Sequence, residues 1–221
     1  MRKIFFIVFI AVCCHTNSWA QRTTTESENP KSSDCRPQRA FGFDIGIGSM
    51  STSIHNRHKI NKDGKDETAF TYACGFRYLY HFSPYLGVDF FKFNHKLSLN
   101  FNNEYYAYSP QMMMGVRGNS PSFAGCMSAY AAIRLGYGVT VELLDTRYYA
   151  DANYFGYGIC GELEIGFNIN RFFFVGYSYN YQGGQRRVDY DDEEHYDGYN
   201  RYYDNLAMHY HAIRFGFNLG K

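Results

Sequence analysis

The sequence predicts an all-β fold, an antiparallel eight-stranded up-and-down β-barrel that crosses a membrane with its strands. Three observations carry that reading. The segment Ile213-Arg214-Phe215-Gly216-Phe217-Asn218-Leu219 sets large apolar residues on one face and Arg214, Gly216 and Asn218 on the other. That is the period of two of a strand with an oily side and a polar side. The alternation recurs eight times over residues 40–219, and long polar connections alternate with short turns. The chain also begins with an export signal.

The signal consists of Arg2 and Lys3, an apolar run over residues 4–14, and Ser18-Trp19-Ala20 before Gln21. Small residues at the cleavage positions mark a secretory leader. The run is far shorter than the roughly 20 residues a helix needs to span hydrocarbon, so residues 1–20 are expected to be removed. Cys13 and Cys14 raise the alternative of a lipid anchor, but Val12 stands where such signals carry a small residue. Cleavage removes two of the 22 basic residues and none of the 21 acidic ones, so the mature chain is close to neutral. No concentrated basic surface appears, which argues against a nucleic-acid partner. Residues 21–39 are polar, with little to bury, and read as a flexible periplasmic lead-in. Residues 40–221 form the barrel domain.

Strand 1 is expected over about residues 40–48, with Phe41, Phe43, Ile45 and Ile47 facing away from Gly42, Asp44, Gly46 and Gly48. Strand 2, about 68–82, sets Phe70, Tyr72, Cys74, Phe76, Tyr78, Tyr80 and Phe82 against Thr71, Ala73, Gly75, Arg77 and His81. Strand 3, about 85–97, alternates through Leu86, Val88 and Phe90 until Lys92 breaks the pattern, and a bulge near Phe90-Phe91 restores parity. Strand 4 runs over about 106–117 with Tyr108, Met112, Met114 and Val116 outward. Strand 5, about 129–143, opposes Ile133, Leu135, Tyr137, Val139 and Val141 to Ala132, Arg134, Gly136 and Gly138. Strand 6, about 154–169, opposes Tyr157, Ile159, Leu163, Ile165 and Phe167 to Gly158, Cys160, Glu162, Glu164 and Asn168. Strands 7 and 8 follow over about 172–181 and 206–219.

An even strand number brings both termini to one side, the periplasm for an exported chain. The connections agree: Ser83-Pro84, residues 118–128 and Asn170-Arg171 follow even strands. The stretches 49–67, 144–153 and 182–205 follow odd ones and are long and polar. Aromatics at 19% with 21 glycines suit a barrel with tyrosine-bearing rims and a crowded interior.

Over residues 40–219 the chain resembles small eight-stranded outer-membrane proteins of the outer membrane protein A and X type. The resemblance rests on pattern, strand count and the terminal Phe215-Gly216-Phe217-Asn218-Leu219, which looks like the signal read by barrel assembly machinery. The chain departs from that signal by ending Leu219-Gly220-Lys221 instead of in an aromatic residue. The resemblance implies a monomer of the bacterial outer membrane, in contact with lipid and lipopolysaccharide, with no cofactor and no catalytic motif.

With the large apolar faces toward lipid, the lumen receives Asp44, Arg77, Asp89, Arg117, Arg134, Glu162, Glu164 and Arg214. Eight strands enclose just enough room for side chains, whereas porins use about 16. A self-paired polar plug is therefore expected over a narrow conducting path, since unpaired charges there are costly. The opposite arrangement, a soluble secreted lipocalin-like barrel around an apolar ligand, needs the bulky residues inside. Phe, Tyr, Ile and Leu are too large to fit there together.

Outer-end candidates are less specific. Tyr190, Asp191, Asp192, Glu193, Glu194, Tyr196 and Asp197 crowd the fourth long connection as a candidate binding loop. Tyrosine with Asn, Gly and Asp is a composition that binding surfaces favour, and an aromatic belt is the competing reading. The acids lack calcium-loop spacing, and no metal site is assigned. His195, His209 and His211 are candidate bases and Ser51, Ser53 and Ser178 candidate nucleophiles, but no spacing joins a pair. Cys35 and Cys126 are expected to share the periplasmic end and to be able to form a disulfide, while Cys74 and Cys160 face opposite ways. The expected role is structural or surface-interaction, through the tyrosine-rich and acidic loops. An enzyme acting on outer-leaflet lipid A is the alternative.

Overall fold

In the computed structural model, residues 39–53, 66–100, 105–123, 127–144, 152–190 and 201–220 are described. They belong to the unit Asp34–Lys221; a second unit, Met1–Ser33, lies outside the described residues. Eight strands follow in order: β1 (Arg39–Ser53), β2 (Asp66–His81), β3 (Leu86–Asn100), β4 (Tyr105–Asn119), β5 (Ser128–Leu144), β6 (Ala152–Asn168), β7 (Phe173–Tyr190) and β8 (Arg201–Gly220). Each pairs antiparallel with its sequence neighbours. The β1–β8 ladder, from Ala40↔Gly220 to Thr52↔Met208, closes the sheet into a barrel with no free edge.

Alternation decides which way each residue points, and it resolves the inside-out ambiguity. Ile159 is 68% exposed, Met114 63% and Leu135 62%, whereas Asp44 and Arg134 are fully buried. A lipocalin-like barrel with an apolar pocket is thereby excluded, because the bulky apolar set faces outward and the charges face inward.

The alternation survives a bulge in β3. Tyr78 opposes Phe91 and Leu79 opposes Asp89, so Phe90 is the extra residue. Phe90 and Phe91 consequently lie on the outer side, and Lys92, Asn94, Lys96 and Ser98 are all turned inward. Two of the short turns are closed by side chains. Ser83 Oγ accepts the Leu86 N–H at 3.0 Å, and Asn170 Oδ1 accepts the Phe172 and Phe173 N–H groups at 2.7 and 2.8 Å.

The strands reach further than the sequence pattern suggests, mostly toward the long connections. The largest correction concerns residues 182–205, read as a loop. β7 and β8 stay in register out to Asp189↔Arg201, and only 191–200 lie outside the described residues of this hairpin. Gly183 and Gly184, with Gln182 and Gln185 beside them, hid the alternation because none is a strand former by composition. Gly183 opposes Ile159 and Gly184 opposes Gly158. A side chain at Gly183 would meet the Tyr181 ring, which folds over this position.

Candidate functional site

The short-turn half of the lumen is built on four carboxylates. Glu162 and Glu164 are successive inward residues of β6, and Lys92, the inward residue after the β3 bulge, reaches both, at 2.6 and 2.8 Å. Arg134 of β5 donates from Nη1 to the same two carboxylates at 2.6 and 2.7 Å and from Nε to Asp89 Oδ2 at 2.6 Å. Arg214 of β8 bonds Asp44 of β1 and lies 3.5 Å from Glu162, while Arg77 of β2 lies 3.6 Å from Glu164. Tyr130 donates its hydroxyl to Glu164 at 2.6 Å, and Asn94 donates to Glu162 at 3.0 Å. Six of the eight strands thus tie into one network, as the charge-assisted bonds of a dry interior require.

Below it, at the short-turn mouth, His81, Asn119, Asn168 and Asn218 each close the inner face of an even strand. Arg117 donates to Asn168 Oδ1 at 2.7 Å and to Asn119 Oδ1 at 3.4 Å, and its guanidinium lies 3.6 Å from the centre of the Tyr130 ring. Arg77 covers Phe174 at 4.3 Å, and Phe174 meets Tyr130 edge-on. Glycines make room for these rings: a Cβ at Gly176 would collide with the Tyr130 hydroxyl, and one at Gly216 with Phe174.

The middle of the lumen is neutral apart from one ammonium. Lys96 bonds Gln111 at 2.9 Å and Asn180, and sits 3.9 Å from the Tyr210 ring centre. Gln182 Oε1 accepts from Ser109 and Gln111, both at 2.8 Å. Above this level the interior turns apolar, with Met50, Ala69, Tyr105, Ala107, Tyr154, Leu206, Met208 and Tyr210 forming one buried cluster. An ion pair crosses it: Arg186 lies 3.4 Å from Glu142, which also accepts the Tyr105 hydroxyl at 2.7 Å.

All eight residues singled out for the interior are buried in the lumen. Four charged members were not singled out. Lys92 and Lys96 follow from the bulge that the alternation predicts near Phe90-Phe91, once its parity is carried through the rest of the strand, whereas Arg186 is hidden by the loop reading of residues 182–205. Glu142 sits in the same parity as Arg134 and was legible. Of the loop candidates, only the backbone of Tyr190 is described; Asp191, Asp192, Glu193, Glu194, Tyr196 and Asp197 lie outside the described residues, as do Cys35, Cys126 and His195. No disulfide joins Cys74 and Cys160.

The two rim histidines point outward. His211 shares a 2.6 Å bond with the Tyr177 hydroxyl and His209 a 2.8 Å bond with that of Tyr179. On β3, His95 pairs in the same way with Tyr108 at 2.7 Å. Ser178 lies on the other face, inside, and accepts from Arg214 Nε at 3.0 Å. Among the described residues, no His, Cys, Asp and Glu grouping of metal-binding size occurs.

No protein-family model matches this chain, and no curated protein matches it in sequence. Solved structures of outer-membrane proteins do. The outer membrane protein OprG of Pseudomonas aeruginosa is 12% identical with a TM-score of 0.47, over 85% of this chain and 100% of that one. Neisserial surface protein A is 11% identical with a TM-score of 0.48, over 80% and 96%. The attachment invasion locus protein Ail of Yersinia pestis, solved with the heparin analogue sucrose octasulfate, is 13% identical with a TM-score of 0.44, over 81% and 99%. At these values no residue role carries across, and the barrel stands on its own hydrogen-bonded register.

Proposed function

We propose that this chain is a sealed outer-membrane barrel whose work is done on its outer face and at its long-loop end, not through its lumen. The observation that carries this reading is the two-part filling of the interior, ion-paired in the short-turn half and apolar in the other. Ion pairs tie up most of the charges in the one and packed apolar side chains fill the other, which supports a lumen without a continuous aqueous path.

The exterior supports the same view. Around the barrel's waist the outward residues are Ile133, Leu135, Ile159, Leu163, Ile165, Ile213 and Phe215, the surface of a body in hydrocarbon. Toward the long connections they change to Tyr181, Gln185, Tyr203, Asn205, His209 and His211. Hydroxyl-to-imidazole pairs such as Tyr177–His211 suit the headgroup region, where a ring has one apolar and one wet side. β7 and β8, at 18 and 20 residues, are the longest strands and carry the hairpin furthest outward. Short turns and both termini of the strand order then face the periplasm and the β7–β8 hairpin reaches the exterior, and the acidic, tyrosine-rich residues 191–197 are the proposed interaction surface.

Two experiments test this. Co-sedimentation with the outer membrane and a boiling-dependent gel shift are expected; a soluble, unshifted protein overturns the location. In planar bilayers the purified barrel is expected to give no stable conductance, and a steady ohmic channel overturns the sealed lumen. For the loop, residues 191–200 are the segment to replace with a short turn, since removing 182–205 would cut two paired strands. Unchanged binding to cells or matrix after that replacement argues against adhesion. The lipid A enzyme finds less support, because His209 and His211 bond tyrosines on the outer face while Ser178 is inside.

A further inference from the structure

The described lumen holds seven cations and five carboxylates. Arg214, Arg134, Lys92 and Arg77 share Asp44, Asp89, Glu162 and Glu164, and Arg186 has Glu142. Lys96 and Arg117 form no ion pair among the described residues. These two are not equivalent. Lys96 sits in the middle of the lumen on Gln111, Asn180 and the Tyr210 ring, whereas Arg117 stands in the short-turn half, where a guanidinium keeps its charge under any physiological condition. One positive charge is therefore left in the short-turn half of the barrel that no described group can cancel.

Its place is specific. Arg117 is 1% exposed and stands two residues from the end of β4, just inside the mouth. Nε and Nη2 are used on side-chain amides, the Tyr130 ring covers one flat side, and Nη1 has no hydrogen-bond partner. Beside it stand Asn119, whose NH₂ group reaches His81 Nε2 at 3.3 Å, and Asn168, and these amides bring donors and no charge. Asn168 Nδ2 donates to Ser128 and Asn119, which still leaves a surplus of N–H over acceptors. A donor-rich, net-positive, desolvated pocket end is the environment of an anion.

We propose that the short-turn mouth of the barrel is a binding site for one small inorganic anion of the periplasmic fluid, held on Arg117 Nη1 among the asparagine amides. A halide fits better than a phosphate. The mouth residues His81, Asn119, Asn168 and Asn218 are each less than one-tenth exposed, so only a small ion passes them. The site completes the charge balance of the lumen and makes barrel stability depend on the anion in the medium, a linkage in which the folded state alone binds the ligand.

The probe is chloride exchanged for gluconate at constant ionic strength and pH, read as the temperature at which the full-length barrel in detergent loses its unboiled gel mobility. Chloride is expected to raise that midpoint by about 3 °C or more. Arg117→Gln is expected to lose the chloride dependence, and Arg117→Lys, which keeps a charge there, to retain part of it. Bromide-soaked crystals of the unaltered protein give a second reading that needs no variant: an anomalous peak in contact with the Arg117 guanidinium. An unchanged midpoint in the two anions, an equal chloride effect in Arg117→Gln, or a bromide map with no peak at Arg117 overturns the site.

Discussion

The two halves of this lumen solve the same problem with opposite chemistry. Near the short turns the core is a lattice of Asp, Glu, Lys and Arg around Glu162 and Glu164. Near the long connections it is Met50, Leu206, Met208 and tyrosine rings crossed by one Arg186–Glu142 pair. The apolar half is built like the core of a soluble protein and gains from packing. The charged half gains little from each pair once desolvation is counted, but it fails sharply when a member is removed. A barrel in lipid cannot bring its apolar residues inward to stabilise itself, because that face is already committed outward. Pairing across strands is what remains for the segment in hydrocarbon, whereas the protruding segment can use a conventional core.

That contrast predicts the largest single-residue effect at Glu164. Glu164→Leu leaves Lys92, Arg134 and Arg77 with too little negative charge and strands the Tyr130 hydroxyl. Such a break costs about 3–5 kcal/mol. Urea unfolding of the barrel in micelles, followed by tryptophan-independent far-ultraviolet circular dichroism, measures it. Bilayer conductance is expected to stay at zero; a stable variant that conducts would mean the network gates a path instead of filling one.

Met208→Ala probes the other half in its own terms. Removing a fully buried side chain from the apolar cluster costs about 2–4 kcal/mol through lost packing and a residual cavity. The same unfolding assay measures it, and a loss below about 1 kcal/mol would show the upper cluster to be loosely packed. Tyr130→Phe returns to the lower half more gently. It keeps the ring under Arg117 and over Gly176 and removes only the hydroxyl that donates to Glu164 at 2.6 Å. One hydrogen bond to a charged group is worth about 1.5–3 kcal/mol. A loss larger than that of Glu164→Leu would contradict the central place given to the carboxylate.

The two halves were also unequally legible in the sequence. Parity alone placed Asp44, Arg77, Asp89, Arg117, Arg134, Glu162, Glu164 and Arg214 on the polar faces, because a strand with one lipid-facing side has a strict period. Lys92 and Lys96 were legible one step further on: the fault in alternation at Lys92 marks a bulge near Phe90-Phe91, and the extra residue, Phe90, turns both lysines inward. The upper half escaped more fully. Toward the long connections the outward residues become polar, so Gln185, Tyr203 and Asn205 no longer contrast with the inward Arg186 and the glycines beside it. The ladder continues there through backbone bonds, which have no sequence signature. Which acid pairs with which base was not legible either, since that depends on the tilt and stagger that bring β6 opposite β3 across the lumen.

The smallest effect is expected where the comparison is turned on itself. If the upper half owes its stability to packing, the Arg186–Glu142 pair is dispensable, provided both partners go at once. Glu142→Leu, Arg186→Met and Tyr105→Phe together remove the carboxylate, the guanidinium and the hydroxyl that Glu142 accepts. Replacing a buried pair by apolar side chains of similar size is commonly neutral or stabilising by up to about 4 kcal/mol. Glu142→Leu alone, which takes away the carboxylate 3.4 Å from Arg186, is expected to cost more than the triple replacement. Unfolding midpoints of the single and triple variants, compared with the parent, decide it. A triple variant as unstable as the single one would mean that this pair fixes the β4–β5–β7 arrangement at the outer end, and the upper half would then depend on charge as the lower half does.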